Sequence, residues 1–348
     1  MKILFLSCNN MEHMADMLYN GLVELYGHDS VIDFPRKPRY HIQDPENDHQ
    51  VLGGGYFSWV FCKDENADKM KHYSLPEIKQ MINNKEIDLI ITSIHGYHTF
   101  VEVKKDTIRV PTIVVSGDDM SDEHYLTAIR PHFMNYWYDI EMILQREYKY
   151  NIKFERKVVP HTCPCPVNNL PDLPFKKDKE IDVFCYLGNT HPMRAQVREK
   201  IAKMSGITFM VGRLYDFNRA EYFKHMNNSK ICIAFGGQGW ESTHYLDIPL
   251  AKSMLLAQSP ANAVHSKTLK EEFVVYPNNF KHQHSAVFYK NDLSDLEELV
   301  RYYLAHDDER EIITRNGYEH LMSHLTTKHI AEYVMKCKDN LDYWKQFI

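Results

Sequence analysis

Short unbroken apolar runs recur along this chain, each leading into a polar loop and then into apolar residues at helical spacing. Residues 2–7 hold Ile3-Leu4-Phe5-Leu6, whose length and side chains predict a strand buried on both faces. Cys8-Asn9-Asn10 follows, then Met14, Met17, Leu18, Leu22 and Leu25 on one helical face, with Gly27 as the stop. Further strands are predicted at residues 87–94 and 110–116, ending in His95-Gly96-Tyr97-His98 and Gly117-Asp118-Asp119. After a Pro-rich and then charged stretch the same grammar restarts. Strands are expected at 181–187, 207–211, 230–235, 253–257 and 273–276, with helices at 194–204 and 221–227 among them. Leu296, Leu299, Val300, Tyr303 and Leu304 mark a late amphipathic helix, and Ile330, Val334, Cys337, Leu341 and Trp344 a long terminal one. Apolar strands alternating with helices build parallel sheets covered on both faces, so the pattern predicts two Rossmann-like α/β domains in tandem. Their bounds read as residues 1–160, a linker at 161–180, a second domain at 181–325 and a terminal helix at 326–348.

Composition agrees with this picture and narrows the chemistry. Apolar types at 44% and charged types at 25% are globular usage. The formal charge of −6 argues against a general binder of phosphate backbones. No apolar run approaches the ~20 residues that span a bilayer, and the first apolar run is too short for a signal sequence. Seven cysteines, an odd number, fit a reducing compartment, so a cytoplasmic protein is expected. Only His161-x-Cys163-x-Cys165 has a metal-like density. Structural zinc wants four ligands in paired spacing, and Pro160, Pro164 and Pro166 make a stiff connector the simpler reading. No metal site is expected.

In open parallel sheets ligands bind beyond the carboxyl ends of the strands, so the loops there are the places to search. The richest is Phe235-Gly236-Gly237-Gln238-Gly239-Trp240-Glu241. Its glycines would let backbone amides approach a phosphate or diphosphate, with a helix expected to begin near Glu241 and add its dipole. The plain alternative is a glycine-rich turn with no ligand. Neither a Walker A loop nor a dinucleotide fingerprint is present. Glu241 and Asp247 lie on the same segment, flanking His244-Tyr245. Ionised carboxylates accept two hydrogen bonds from vicinal hydroxyls, which suits a ribose or hexose, and acids at a helix start are the alternative. Substitution of either acid by alanine is expected to weaken donor binding with little loss of stability.

The stretch Gly239-Trp240-Glu241-Ser242-Thr243-His244-Tyr245-Leu246-Asp247-Ile248-Pro249-Leu250 resembles the donor-site segment of CgeB-type glycosyltransferases of the GT-B fold. Flanking matches are residues 222–235 before the glycines, Phe273 with Asn278-Asn279-Phe280 after them, and His320, His324, Thr326, Thr327, Glu332 and Tyr333 near the end. Residues 14–25, Ser93-Ile94-His95 and Ser116-Gly117-Asp118-Asp119 are similar more loosely. The resemblance implies two Rossmann-like domains facing across a cleft, with the terminal helix returning toward the first. It further implies a metal-independent, retaining transfer of sugar from a nucleoside diphosphate sugar, most naturally a UDP-sugar, to an acceptor hydroxyl. No cofactor is implied. A glycan or another hydroxyl compound would be the acceptor, with nucleic acid disfavoured by the acidic balance.

The residues singled out for donor binding are Gly188, Arg194, Gly236, Gly237, Gln238, Gly239, Trp240, His244, Tyr245, Asp247 and Lys252, and for catalysis His95, Asp118 and Glu241. His244 stands where the family commonly has Arg, and Asp247 where it has Glu. Either Lys252 or Arg194 then supplies the missing charge, or activity is weakened. His95 and Asp118 end consecutive predicted strands, and His95 could bind a sugar hydroxyl or act as general base. Gly53-Gly54-Gly55-Tyr56-Phe57-Ser58-Trp59 reads as an acceptor loop or a plain turn. Two other functions fit the same features: a sugar-nucleotide epimerase on the same fold, and a carbohydrate- or nucleotide-binding protein without catalysis.

Overall fold

The computed structural model describes residues 1–8, 12–37, 40, 71–117, 129–149, 154–167, 173–212, 217–264, 267 and 269–347. They form two units, Met1–Leu170 together with Leu325–Ile348, and Pro171–His324. The glycine loop at 53–59 and Asp118-Asp119 lie outside the described residues.

In the first unit β1 (Ile3–Leu6) is buried at every position, as an apolar run of that length requires. Helix α1 (His13–Tyr26) lays Met14, Met17, Leu18 and Leu22 into the core. Strand β2 (Val31–Phe34) follows, then α2 (Leu75–Asn83), which opens with a capping box between Ser74 and Glu77. Next come β3 (Leu89–Ser93), α3 (Tyr97–Lys104), β4 (Thr112–Ser116), β5 (Ile140–Arg146) and β6 (Val158–His161). The six strands make one parallel sheet in the order β2-β1-β3-β4-β5-β6. Strand order reverses at β1 and β3, the switch point where the first two crossovers diverge.

The second unit repeats the plan. Its elements are β7 (Ile181–Tyr186), α4 (Met193–Ala202), β8 (Phe209–Gly212), α5 (Arg219–Asn227), β9 (Ser229–Ala234), α6 (His244–Leu250) and β10 (Met254–Gln258). A hairpin of β11 (Asn262–Val264) and β12 (Glu271–Val275) follows, then β13 (Val287–Tyr289), α7 (Leu296–Ala305) and α8 (Asp307–His324). The parallel sheet runs β13-β10-β9-β7-β8, with its switch point between β7 and β9. Its core joins Val183, Ile231, Ile233 and Leu256 from the strands to Val197, Ile201 and Val300 from the helices.

The final helix α9 (Thr327–Asp339) belongs to the first unit and packs on α1. Leu325 accepts a hydrogen bond from the Cys165 amide at 2.7 Å, and Thr327 returns one to Cys165 at 3.0 Å. The Thr327 hydroxyl reaches Glu24 at 2.6 Å, and the Tyr333 hydroxyl donates to the Pro160 carbonyl at 2.7 Å. Two expectations change here. The helix stops at Asp339, and Trp344 sits in a separate 3₁₀ turn, Tyr343–Phe347. Pro160 and His161 belong to a strand, with Cys163 and Cys165 buried, so the start of the expected linker is packed structure. Residues 158–166 are buried at every position, which a solvated connector would not be.

Candidate functional site

The loops at the switch point of the second unit gather most of the residues that the sequence singles out. After β7 come Leu187, Gly188, Asn189, Thr190 and His191; after β9 come Phe235 through Thr243. Arg194, in the first turn of α4, is buried between them. Its Nε donates to the Gly236 carbonyl at 2.8 Å and its Nη2 to the Phe235 carbonyl at 2.7 Å, while Nη1 lies 3.5 Å from the Gly188 carbonyl. The planar guanidinium therefore ties the two loops together, a task that its fork of donors suits. Three of its donors thus face backbone, and its positive charge is held beside the glycine turn.

Gln258 and Asn291 continue the scaffold. Gln258 Nε2 donates to Asn291 Oδ1 at 2.9 Å, and the Gly236 amide lies 3.4 Å from Gln258 Oε1. The Tyr245 hydroxyl donates to the Gln258 carbonyl at 2.7 Å, and the Tyr289 hydroxyl to the Ala234 carbonyl at 2.7 Å. Sequence reasoning passed over Gln258; the signal was a lone amide closing the apolar run Met254-Leu255-Leu256-Ala257. Gly237 and Gly239 are buried beside the exposed Gln238, and neither glycine amide is engaged by another group among the described residues.

Helix α6 begins at His244, three residues later than expected, and has seven residues with Pro249 inside it. Its earliest amides are already used, Tyr245 on the Ser242 carbonyl and Leu246 and Asp247 on the Thr243 carbonyl. The dipole contribution expected from a helix start at Glu241 is correspondingly small. Glu241 and Asp247 are both buried. At buried positions, removal of either is expected to cost stability as well as binding. Trp240 is buried in a cluster with Val274, Tyr276 and Ala261, so its indole packs under the hairpin.

His244 is buried, with both ring nitrogens in use. Nε2 faces the Tyr186 carbonyl at 3.0 Å and must carry the proton; Nδ1 accepts from the Ser242 hydroxyl at 3.2 Å. Burial first, and the nearby Arg194 second, push its pKa down from 6.5 to about 3. A neutral imidazole brings no positive charge to this segment. His161, buried at the end of β6, is also lowered to about 3, by burial and then by Arg146. A base whose folded pKa lies below its unfolded one gives stability that is complete above about pH 6.5 and is lost as pH falls toward 3. Each of these histidines should remove roughly 1.4 kcal/mol per pH unit below 6.5. Urea unfolding at pH 7.5 and pH 5 should show His244→Gln losing about 2 kcal/mol less than wild type over that span. An equal loss in both would mean that the ring is not held neutral.

Lys252 lies elsewhere. It follows α6 and precedes β10, and with Lys179, Ser229 and Ser253 it belongs to the amino-terminal edge of the sheet, opposite the glycine loop. Its ammonium donates to the Leu173 carbonyl and sits 5.1 Å and 4.9 Å from the Phe175 and Tyr318 ring centres. It cannot compensate a diphosphate at the other edge, because α6 and the turn after it carry the chain across the sheet's depth. Asp118 lies outside the described residues. His95 ends β3 in the first unit, half-exposed, with Nε2 3.9 Å from Glu12 Oε1. Among the described residues, no group of three or more His, Cys, Asp or Glu is placed to hold a metal ion, and no helix is long and apolar enough to cross a membrane.

Residues 211–336 match the family model described as glycosyl transferase-like, a span that contains the glycine loop, α6 and α8. No curated protein sequence matches the chain. Among solved structures, an alpha-glucosyltransferase in complex with UDP-glucose and abasic-site DNA superposes with a TM-score of 0.56 at 8% identity, covering 98% of this chain and 100% of that one. Anabaena Alr3699/HepE in complex with UDP-glucose gives 0.56 at 10% identity, covering 97% and 98%. At such identities the likeness is one of fold, and the fold is α/β with two Rossmann-like sheets of GT-B type.

Proposed function

We propose that this chain is a glycosyltransferase that takes a sugar from a UDP-sugar and transfers it to an acceptor hydroxyl. The observation that carries the reading is the buried glycine turn beyond β9, clamped by Arg194 at the switch point and lying inside the glycosyl transferase-like span. The UDP and UDP-glucose of the similar structures support the choice of nucleotide. In this reading the diphosphate meets the Gly237 and Gly239 amides, and Glu241 and Asp247 hold sugar hydroxyls. The first unit supplies the acceptor side through His95 and Asp118. Transfer is retaining and needs no metal, since Asp118-Asp119 and Asp307-Asp308 lack the intervening residue of a DxD motif. Catalysis is then mostly positioning, with electrostatic stabilisation of the leaving UDP. The acceptor is a glycan or other hydroxyl compound; a formal charge of −6 disfavours DNA.

A thermal-shift panel of UDP, GDP, TDP and CMP tests the nucleotide. UDP at 100 times its dissociation constant should add about 2.7 kcal/mol of stability, and silence from all four would end the reading. Glu241→Ala and Asp247→Ala should each weaken UDP-glucose by roughly 10- to 100-fold, the worth of a charged hydrogen bond, while UDP itself binds as before. Titration calorimetry with both ligands separates these outcomes. Equal losses for UDP and UDP-glucose would take the acids off the sugar. EDTA should leave the transfer rate within about twofold, because no step here draws on a Lewis acid.

A further inference from the structure

Side chains join three neighbouring strand ends of the second unit into one polar line. Gly236 follows the end of β9, Gln258 closes β10 and Asn291 follows the end of β13, in the sheet order β13-β10-β9. Buried Gln258 has its Oε1 3.4 Å from the Gly236 amide and donates from Nε2 to Asn291 Oδ1 at 2.9 Å. Asn291 spends both hydrogens of its own amide on the β11–β12 hairpin. Its Nδ2 donates to Glu271 Oε1 at 2.9 Å and to the Asn262 carbonyl at 3.2 Å. Only one orientation of the Asn291 amide satisfies these contacts together, so the network fixes it.

A second side chain holds the same strand. The Ala261 carbonyl, just before β11, accepts from the Val274 amide of β12 at 3.0 Å. Carbonyls alternate between the two edges of a strand, so those of Asn262 and Val264 point away from β12. His191, buried in the loop after β7, accepts from the Met193 amide on Nδ1 at 3.1 Å. Its proton is therefore on Nε2, which donates to the Val264 carbonyl at 3.1 Å. Both outward carbonyls of β11 end on side chains from the strand-end loops around the glycine turn. Trp240, next to Gly239, packs against Ala261, Val274 and Tyr276 of the same hairpin segment.

We propose that Asn291 is a positioning residue for the nucleotide, coupling the β11–β12 hairpin to the glycine turn through Gln258. A nucleotide gripped by the turn then steadies the hairpin, and the docked hairpin tightens the grip, since coupling between two sites is reciprocal. The nucleotide half rests on the transferase reading above; the coupling of hairpin to turn does not. Gln258 cannot rotate its buried amide without giving up Asn291 or Gly236, so a displacement of the hairpin is felt at the turn.

Hydrogen exchange of the full-length protein, read by mass spectrometry with and without UDP, tests the coupling, and calorimetry gives the UDP dissociation constant. In wild type, saturating UDP should slow exchange in β11 and β12 by about tenfold. Asn291→Asp keeps an oxygen for Gln258 but loses both donors and sets a second carboxylate against Glu271. It should cut that slowing below about twofold and weaken UDP by about tenfold, at the wild-type unfolding temperature. Slowing that survives in Asn291→Asp overturns the proposal, as does a wild type that binds UDP and leaves the hairpin unchanged. A ligand-free comparison decides the coupling even where UDP does not bind or Asn291→Asp does not fold. Glu271 is exposed, and Glu271→Ala touches neither Gln258 nor the glycine turn. It should nevertheless speed exchange of residues 235–240 by about threefold, with β7 unaffected. An unchanged turn in that variant overturns the coupling, whereas a wild type that ignores UDP ends the transferase reading alone.

Discussion

Alanine at Arg194 should cost about 3–5 kcal/mol of stability and abolish measurable UDP binding, since each of its two short charged bonds is worth about 1.5–3 kcal/mol. The carbonyls of Phe235 and Gly236 would be left buried without their donor, and the loop that follows β9 would lose its tie to the loop after β7. Arg194→Lys should rescue little. A lysine ammonium is a point charge on a flexible stem and cannot place two donors on adjacent carbonyls in one plane. Urea unfolding gives the stability term, and calorimetry with UDP gives the binding term. A lysine variant equal to wild type in both would show that Arg194 contributes charge alone and no geometry.

The other large effect concerns a residue far from any ligand. Gly21 lies where α1 meets the terminal helix, and a Cβ there would stand 2.1 Å from the Thr327 carbonyl oxygen and 3.0 Å from Ala331 Cβ. Mid-helix, Gly→Ala normally gains about 1 kcal/mol from propensity. Here the sign should reverse, with Gly21→Ala losing about 2–3 kcal/mol through overpacking against rigid backbone. Gly21→Leu should detach α9 altogether and expose the faces that Ile330, Ala331 and Val334 cover. Chemical unfolding settles the alanine case, and protease sensitivity near residue 327 settles the leucine case. A stabilised alanine variant would mean that α1 and α9 do not approach so closely in solution.

These two residues also show how far the sequence could be read. Unbroken apolar runs such as Ile3-Leu4-Phe5-Leu6 announce buried strands whatever their neighbours, and the parallel α/β plan followed from them. Strand β5 was harder: Glu141 breaks its apolar run, and Gln145-Arg146 closes it with polar residues that only the strand-end position explains. The glycine loop was legible because three glycines at a strand end have few other uses. The partners of Arg194 were not, because they are backbone carbonyls, which carry no residue type to read. Lys252 was misplaced because nothing in a linear string tells how much depth a seven-residue helix crosses. Asn291 escaped notice since its meaning comes from β13 lying beside β10, whose Gln258 is 33 positions away.

The first unit is discontinuous: its last segment, Leu325–Ile348, is separated from the rest by the whole of the second. On a ribosome, residues 1–170 emerge before the second unit, yet the surface of α1 that receives α9 stays uncovered until residues 327–339 have been made. The second unit, being continuous, can fold as soon as it clears the exit tunnel, ahead of the unit that precedes it. A stop codon near position 324 would therefore do more than trim a tail; it would leave the early half of the product with an apolar furrow permanently open to chaperones, proteases and neighbouring chains.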